Sequence, residues 1–230
     1  MAVGLEELMT AVLEMGLVAR DRTLAAGRMK SRSIDWTSGL PILREAGVTL
    51  RELRDSDAPS LLRLLGDEQV VRFLAPAPNT QHGFERFIAW THRQRASGRF
   101  ICFGVVPDGE RSAIGMFQIW RVGSTFETAE IGFVFGAPFW GTGVFMESAP
   151  AFLTFAFETL NVHRLEGRAA ALNGRGNGAL RKLGAVPEFV LRKCFECGGR
   201  HQDHIMWSIL EEEWQMQSHR SSRCIGTGKS

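Results

Sequence analysis

A glycine-bracketed turn, Trp140-Gly141-Thr142-Gly143, does most to constrain what this 230-residue chain can become. It joins a strand-like run, Thr128–Phe135, to a helix-like run over residues 145–160. A strand that passes into a helix through so short a turn belongs to a layered fold, with helices laid over a sheet. Glycines let the backbone approach a ligand closely, and the first amides of the following helix lack intrahelical partners. With the positive end of the helix dipole, those amides make a seat for a phosphate or pyrophosphate. An ordinary tight turn is the plainer reading of two glycines alone.

The rest of the chain supplies the sheet and its cover. Alternation from Val48 to Leu53 reads as a strand, followed by Asp55-Ser-Asp57 as a cap for a helix over residues 58–65. A short helix over 68–73 and a longer one over 81–95 precede strands at 100–106, 113–121 and 129–135. After the glycine turn and its helix come a strand at 164–170 and a helix over 174–183, stopped by Gly184. Two closing strands at 186–197 and 204–210 flank Gly198-Gly199. The expected fold is α/β in the layered α+β sense, a mixed, mostly antiparallel sheet of six to seven strands flanked by helices. Residues 1–45 read as an N-terminal extension, a short helix plus linker, and residues 215–230 as a disordered tail. The domain itself is expected over 46–214.

Composition narrows the partners. A net charge of +2 is too small to argue for nucleic acid or an anionic membrane surface as the partner, and neither is expected. No apolar run approaches the roughly 20 residues of a membrane span. Glu6, Glu7 and Glu14 interrupt anything resembling a secretory leader, so the expected location is cytoplasmic. Four cysteines do not make a disulfide framework. The chain has no Tyr, so no phenol is available as a general acid.

Several blocks together resemble the GNAT acyl-CoA-dependent N-acyltransferases, and within them the branch that acetylates N-terminal amines of ribosomal proteins. They are Ala129-Glu-Ile-Gly132, Pro138-Phe-Trp-Gly-Thr-Gly143 and Glu147. A second group holds Asn173, Asn177 and Leu180 to Gly184, and Leu50-Arg51 and Met206 to Leu210 are similar to the opening and closing strands. The resemblance covers residues 46 to 214. It implies acetyl-CoA as cosubstrate, no metal, and a fourth strand splayed from the fifth to admit pantetheine. It implies that Trp140, Gly141, Thr142, Gly143, Val144 and Phe145 bind the pyrophosphate. Ile131, Phe133, Val134 and Phe135 would run along pantetheine, with Asn173 near the thioester end and Asn177 also binding the cofactor. Three positions depart from the pattern: Phe145 replaces a small residue, Gly176 a common serine, and His201 a frequent tyrosine.

Acetyl transfer needs a neutral amine, a polarised carbonyl, a proton acceptor and a stabilised thiolate. An α-amine, with a pKa of about 7.7 to 8, is partly neutral near pH 7 and needs only modest base assistance. Glu130, on the fourth strand, is the leading base, against the reading of an outward residue paired with an arginine. Glu147 fits the helix dipole better than a base. Asn173 could hold a water or the pantetheine amide, or cap its helix. Cys194, Cys197, His201 and His204 tempt a zinc reading, but a plain hairpin suits their spacing better. His201 is kept as a substitute acid or base. His92, Arg93 and Arg95 read as a solvated helix end, and Trp90 and Trp120 as core. The expected activity is acetyl transfer to a primary amine, with a protein N-terminus or a small molecule as acceptor and a monomer or homodimer as assembly. The alternative is a weakened acyl-CoA-binding regulatory module.

Overall fold

The computed structural model describes residues 34–73, 77–197 and 200–216. The helix and linker expected within 1–33 and the tail from 217 lie outside the described residues. Two short strands, β1 (Leu43–Glu45) and β2 (Val48–Glu52), open the sheet as a hairpin. Their turn runs through Ala46 and Gly47 at φ of 40° and 80°, as tight hairpins require. β1 falls where a linker was expected, and it brings the sheet to eight strands rather than six or seven. Three residues offer too little alternation to detect, and Ala-Gly lacks the Asn-Gly or Asp-Gly signature. The same stretch packs Trp36, Leu40 and Leu43 against the core.

A 3-10 turn, Asp55–Asp57, leads into α1 (Ala58–Leu65), α2 (Glu68–Val71) and α3 (Gln81–Ala96). Thr80 caps α3 by accepting from the Gly83 N–H. The cap expected at Asp57 takes another form, since its side chain makes no cap bond to α1. Fully buried, it accepts two 2.8 Å bonds from Arg51 and backbone N–H bonds from Arg54 and Ala113. A buried carboxylate needs that many donors to stay charged. The end of α3 is likewise more than a solvated face. His92 Nε2 meets the Leu53 carbonyl at 2.9 Å, and Arg95 binds Glu52 and the Thr37 carbonyl.

An antiparallel meander of β3 (Phe100–Pro107), β4 (Gly115–Arg121) and β5 (Thr128–Phe135) follows. Next comes α4 (Val144–Thr154), which carries Pro150 and runs on as a π-helical turn, Phe155–Thr159. β6 (Arg164–Ala170), α5 (Gly174–Lys182), β7 (Val186–Cys197) and β8 (Arg200–Leu210) complete the order. The sheet runs β1-β2-β3-β4-β5-β6-β8-β7, antiparallel at every step except β5 with β6. Because β1 shifts the count, the strands expected as fourth and fifth are β5 and β6.

Alternation along the strands feeds two cores. Ile101, Phe103, Phe117, Ile119, Ile131 and Trp207 pack with α4 and α5 on one face. Phe100, Cys102, Met116 and Trp120 pack with α1 and α3 on the other, so Trp90 and Trp120 are core residues. Where β6 and β8 continue this second face they carry Arg164, Glu166, Arg168 and Ser208 in register, a polar strip.

Candidate active site

Parallel pairing between β5 and β6 holds only from Thr128 with Arg164 to Ile131 with Gly167. Beyond that vertex β5 stays with β4 and β6 stays with β8, so the two strands part. The expected splay is there. A cavity of about 680 Å³ opens along it, within the range of small-molecule sites. Phe133, Val134, Phe135, Trp140, Gly141, Gly143, Phe145 and Asn173 are among the residues that line it. Ile131 stands at the vertex itself. Thr142 and Val144 turn elsewhere: the threonine hydroxyl donates to the Phe139 carbonyl at 2.8 Å, and Val144 is buried in the core.

The turn before α4 is built on backbone conformation. Gly141 and Gly143 have φ of 77° and 98°, values that a side chain would strain. Gly143 is the N-cap of α4, and no side chain caps that helix. Its first-turn amides therefore remain available beside the cavity. Glu147 leans over this end, with Oε1 3.1 Å from where a Gly143 Cβ would lie, the place the helix dipole favours. Trp140 is fixed by its indole N–H, which donates to the Phe135 carbonyl at 2.9 Å, and the Arg175 guanidinium sits 4.4 Å from its ring centre. Phe145 turns its bulk into Phe117, Phe133 and Phe135, with ring centres 4.9 to 5.7 Å away.

Across the cavity, Asn173 caps α5, its Oδ1 accepting from the Gly176 N–H at 2.9 Å. At the Gly176 departure a Cβ would lie 2.7 Å from Asn173 Nδ2, so a side chain there would require the Asn173 amide to shift. Asn177 is absent from the cavity wall. It is buried, donates to the carbonyls of Ala170 and Asn173, and accepts from the Trp207 indole N–H at 2.9 Å. Its amide is committed to the frame, a role its i, i+4 spacing from Asn173 does not reveal.

Charge gathers at the vertex on the α1/α3 face. Glu130 is 5% exposed and receives two bonds from Arg168, at 2.6 and 2.5 Å. Burial pushes its carboxyl upward while the Arg168 guanidinium opposes that shift. The arginine partner of the plainer sequence reading is present, but on a buried strand residue beside the fork rather than an outward one. His201 lies apart, exposed on the hairpin opposite Glu196. Nearer stands His204, whose Nε2 is buried with no partner. Burial and Arg168 push its imidazole below the usual range. In the hairpin, Cys194 sits in a register shift and the side chain of Cys197 lies outside the described residues. Among the described residues no three His, Cys, Asp or Glu side chains converge as a metal site.

Comparison with known proteins now decides the family. Residues 48–186 match the acetyltransferase (GNAT) domain. The chain belongs to the GNAT acetyltransferases. YdaF of Bacillus subtilis, provisionally described as a ribosomal N-acetyltransferase, is 28% identical over 173 residues, covering 73% of this chain and 93% of its own. Among solved structures, Mycobacterium smegmatis RimJ in complex with CoA-disulfide superposes with a TM-score of 0.68 at 22% identity, over 78% of this chain and 90% of that one. A ribosomal-protein-S5-alanine acetyltransferase from Vibrio fischeri gives 0.68 at 18% identity, over 76% and 98%. These last two likenesses speak for the fold.

This GNAT chain is therefore an acyltransferase, and the geometry sorts its parts. A cavity with open helix amides, aromatic walls and an amide-bearing cap can take an anionic, extended ligand. The pair of buried Glu130 and half-buried Arg168 supplies charge at the point where the strands divide. Arg168 and Arg175 were not singled out, and His204 entered only within the Cys–His cluster read as a plain hairpin. Strand alternation would have put Arg168 on the face of Glu166, but only the β5–β6 register brings it to Glu130.

Proposed function

We propose that the chain moves an acetyl group from acetyl-CoA to a primary amine, with a protein N-terminal amine as acceptor, through a domain spanning residues 46–214. The uncapped start of α4 opening into the β5–β6 fork carries this reading, because it offers unpaired amides to a pyrophosphate at one end and freed strand backbone at the other. Acetyl-CoA supplies the activated thioester. The amides after Gly141 and Gly143 hold its phosphates, Phe133 to Phe135 flank the pantetheine, and the freed edge of β5 polarises the carbonyl.

The amine attacks in its neutral form, and the proton passes to Glu130 through a water. An ionised carboxylate has about four lone-pair positions, so two remain after Arg168 takes its two. Asn173, with Oδ1 occupied by the cap, offers Nδ2 to the departing sulfur. Support for a peptide acceptor comes from the ribosomal N-acetyltransferase description carried by YdaF.

The test is release of free thiol from acetyl-CoA against a panel of peptides and small amines. Turnover with peptides bearing a free N-terminus, lost on N-terminal blocking, is the expected result. Turnover with polyamines or aminoglycosides alone would shift the acceptor class. Tight acetyl-CoA binding with no thiol release would leave a binding module in place of an enzyme.

A further inference from the structure

Resting on that reading, we infer that the attacking amine is seated over Gly132, with Gln118 Oε1 accepting one of its N–H bonds.

Gly132 lies inside β5 and is the first residue past the β5–β6 vertex. It is not among the positive-φ glycines, so its conformation does not demand the missing side chain. Glycine within a strand weakens it, and commonly marks a place where something approaches the backbone closely. Register puts Gln118 opposite Gly132 and Trp120 opposite Glu130, so these four share the α1/α3 face. A Cβ added to Gly132 would stand 3.3 Å from Trp120 Cζ3 and 3.4 Å from Gln118 Oε1. The amide oxygen and the indole edge therefore converge on the bare backbone.

The polar inventory suits a nitrogen. Gln118 donates through Nε2 to the Met116 sulfur at 3.3 Å, which orients the amide and leaves Oε1 toward Gly132. A carbonyl oxygen accepts an N–H but offers no proton to the nitrogen lone pair, so it orients an amine without quenching it. Glu130, two residues earlier on the same face, lies on the proton's way out. Phe133, on the opposite face, packs against Phe145 of α4, while Val134, two residues on from Gly132 on this same face, lines the cavity.

Gln118→Met keeps length while removing the oxygen, and Gln118→Glu keeps an oxygen acceptor. Loss of one such bond is worth a factor of about ten. Expected is a roughly tenfold fall in kcat/KM for the amine in Gln118→Met, with acetyl-CoA affinity by calorimetry unchanged and the amine dependence largely kept in Gln118→Glu. Gly132→Ala needs only a small shift of its neighbours, and it should lower kcat/KM for the amine at the same acetyl-CoA affinity. Wild-type rates in Gln118→Met and Gly132→Ala would overturn the seat while leaving the acetyltransferase reading intact. Equal losses of acetyl-CoA affinity would reduce both residues to structural roles. No thiol release by the wild type with any amine would overturn the seat and the proposed activity together.

Discussion

Replacing Asn177 with alanine separates a ligand-binding residue from a framework residue, and the size of the effect follows from the bonds it makes. Its Nδ2 donates to the carbonyls of Ala170 and Asn173 at 2.9 and 2.8 Å, and its Oδ1 accepts from Trp207 Nε1 at 2.9 Å. The two carbonyls keep a second donor each, the N–H groups of Asn173 and Asn177. The Trp207 indole, on a side chain only 1% exposed, has no such reserve. An indole can only donate, and a buried donor left unmet costs about 1 to 3 kcal/mol. With about 0.5 to 1 kcal/mol for the weakened carbonyl bonds, Asn177→Ala should cost about 3 kcal/mol. That corresponds to a fall in Tm of about 6 to 12 °C for a chain of this size. Urea unfolding of Asn177→Ala, Trp207→Phe and the double variant measures the coupling directly, since the phenylalanine background has no indole N–H to strand. A coupling of about 2 kcal/mol is expected, and one below about 0.5 would refute the reasoning.

Arg168→Gln strands the buried Glu130 carboxylate and should destabilise the fold by about 3 to 5 kcal/mol at neutral pH. Burial already raises Glu130, and loss of the guanidinium raises it further, so the variant should be least impaired below about pH 4.3 and lose stability as pH rises through the folded-state value. Unfolding curves from pH 4 to 8 check the sign. Glu188 has the reverse sign: Arg164 holds it down to about 2, so stability should fall as pH drops from about 4.3 through that value. Arg164→Gln should flatten this acid limb. Gly141→Ala meets open space but a φ of 77°, so strain of about 1 to 2 kcal/mol falls on the loop alone; calorimetry should show acetyl-CoA bound about tenfold more weakly, with the fold retained. Glu130→Gln should slow turnover at near-normal acetyl-CoA affinity, and an unchanged rate from about pH 6 to 9 would remove it as the base.

Local signals carried the fold well where period and punctuation coincide. β6 has the bounds its alternation indicates, and α5 ends beside Gly184 as the glycine stop suggests. The Gly141–Gly143 turn also declared itself, because its chemistry is backbone conformation. What stayed hidden is set by register between strands. Gln118 and Gly132 are 14 positions apart and Glu130 and Arg168 are 38 apart, and neither pairing leaves a trace in periodicity. Asp57 looked like an ordinary cap because nothing local shows that Arg51 and Ala113 fold onto it. Asn177 looked like a ligand contact because its real partner, Trp207, is 30 residues away.

Among the described residues, the four residue pairs joining β5 to β6 are the sheet's only parallel link, and they make it a seam. Strands β1 to β5 lie on one side and β6, β8 and β7 on the other. From Gly132 to Phe135, half of the backbone groups along β5 point into a gap where a neighbouring strand would ordinarily answer them. An extended amide-bearing molecule lying there stands in for that strand and stitches the halves together. Hydrogen exchange should then be fastest along the gap-facing amides of β5 and slow markedly once acetyl-CoA is added. The same binding should raise resistance to unfolding in proportion to the logarithm of its concentration.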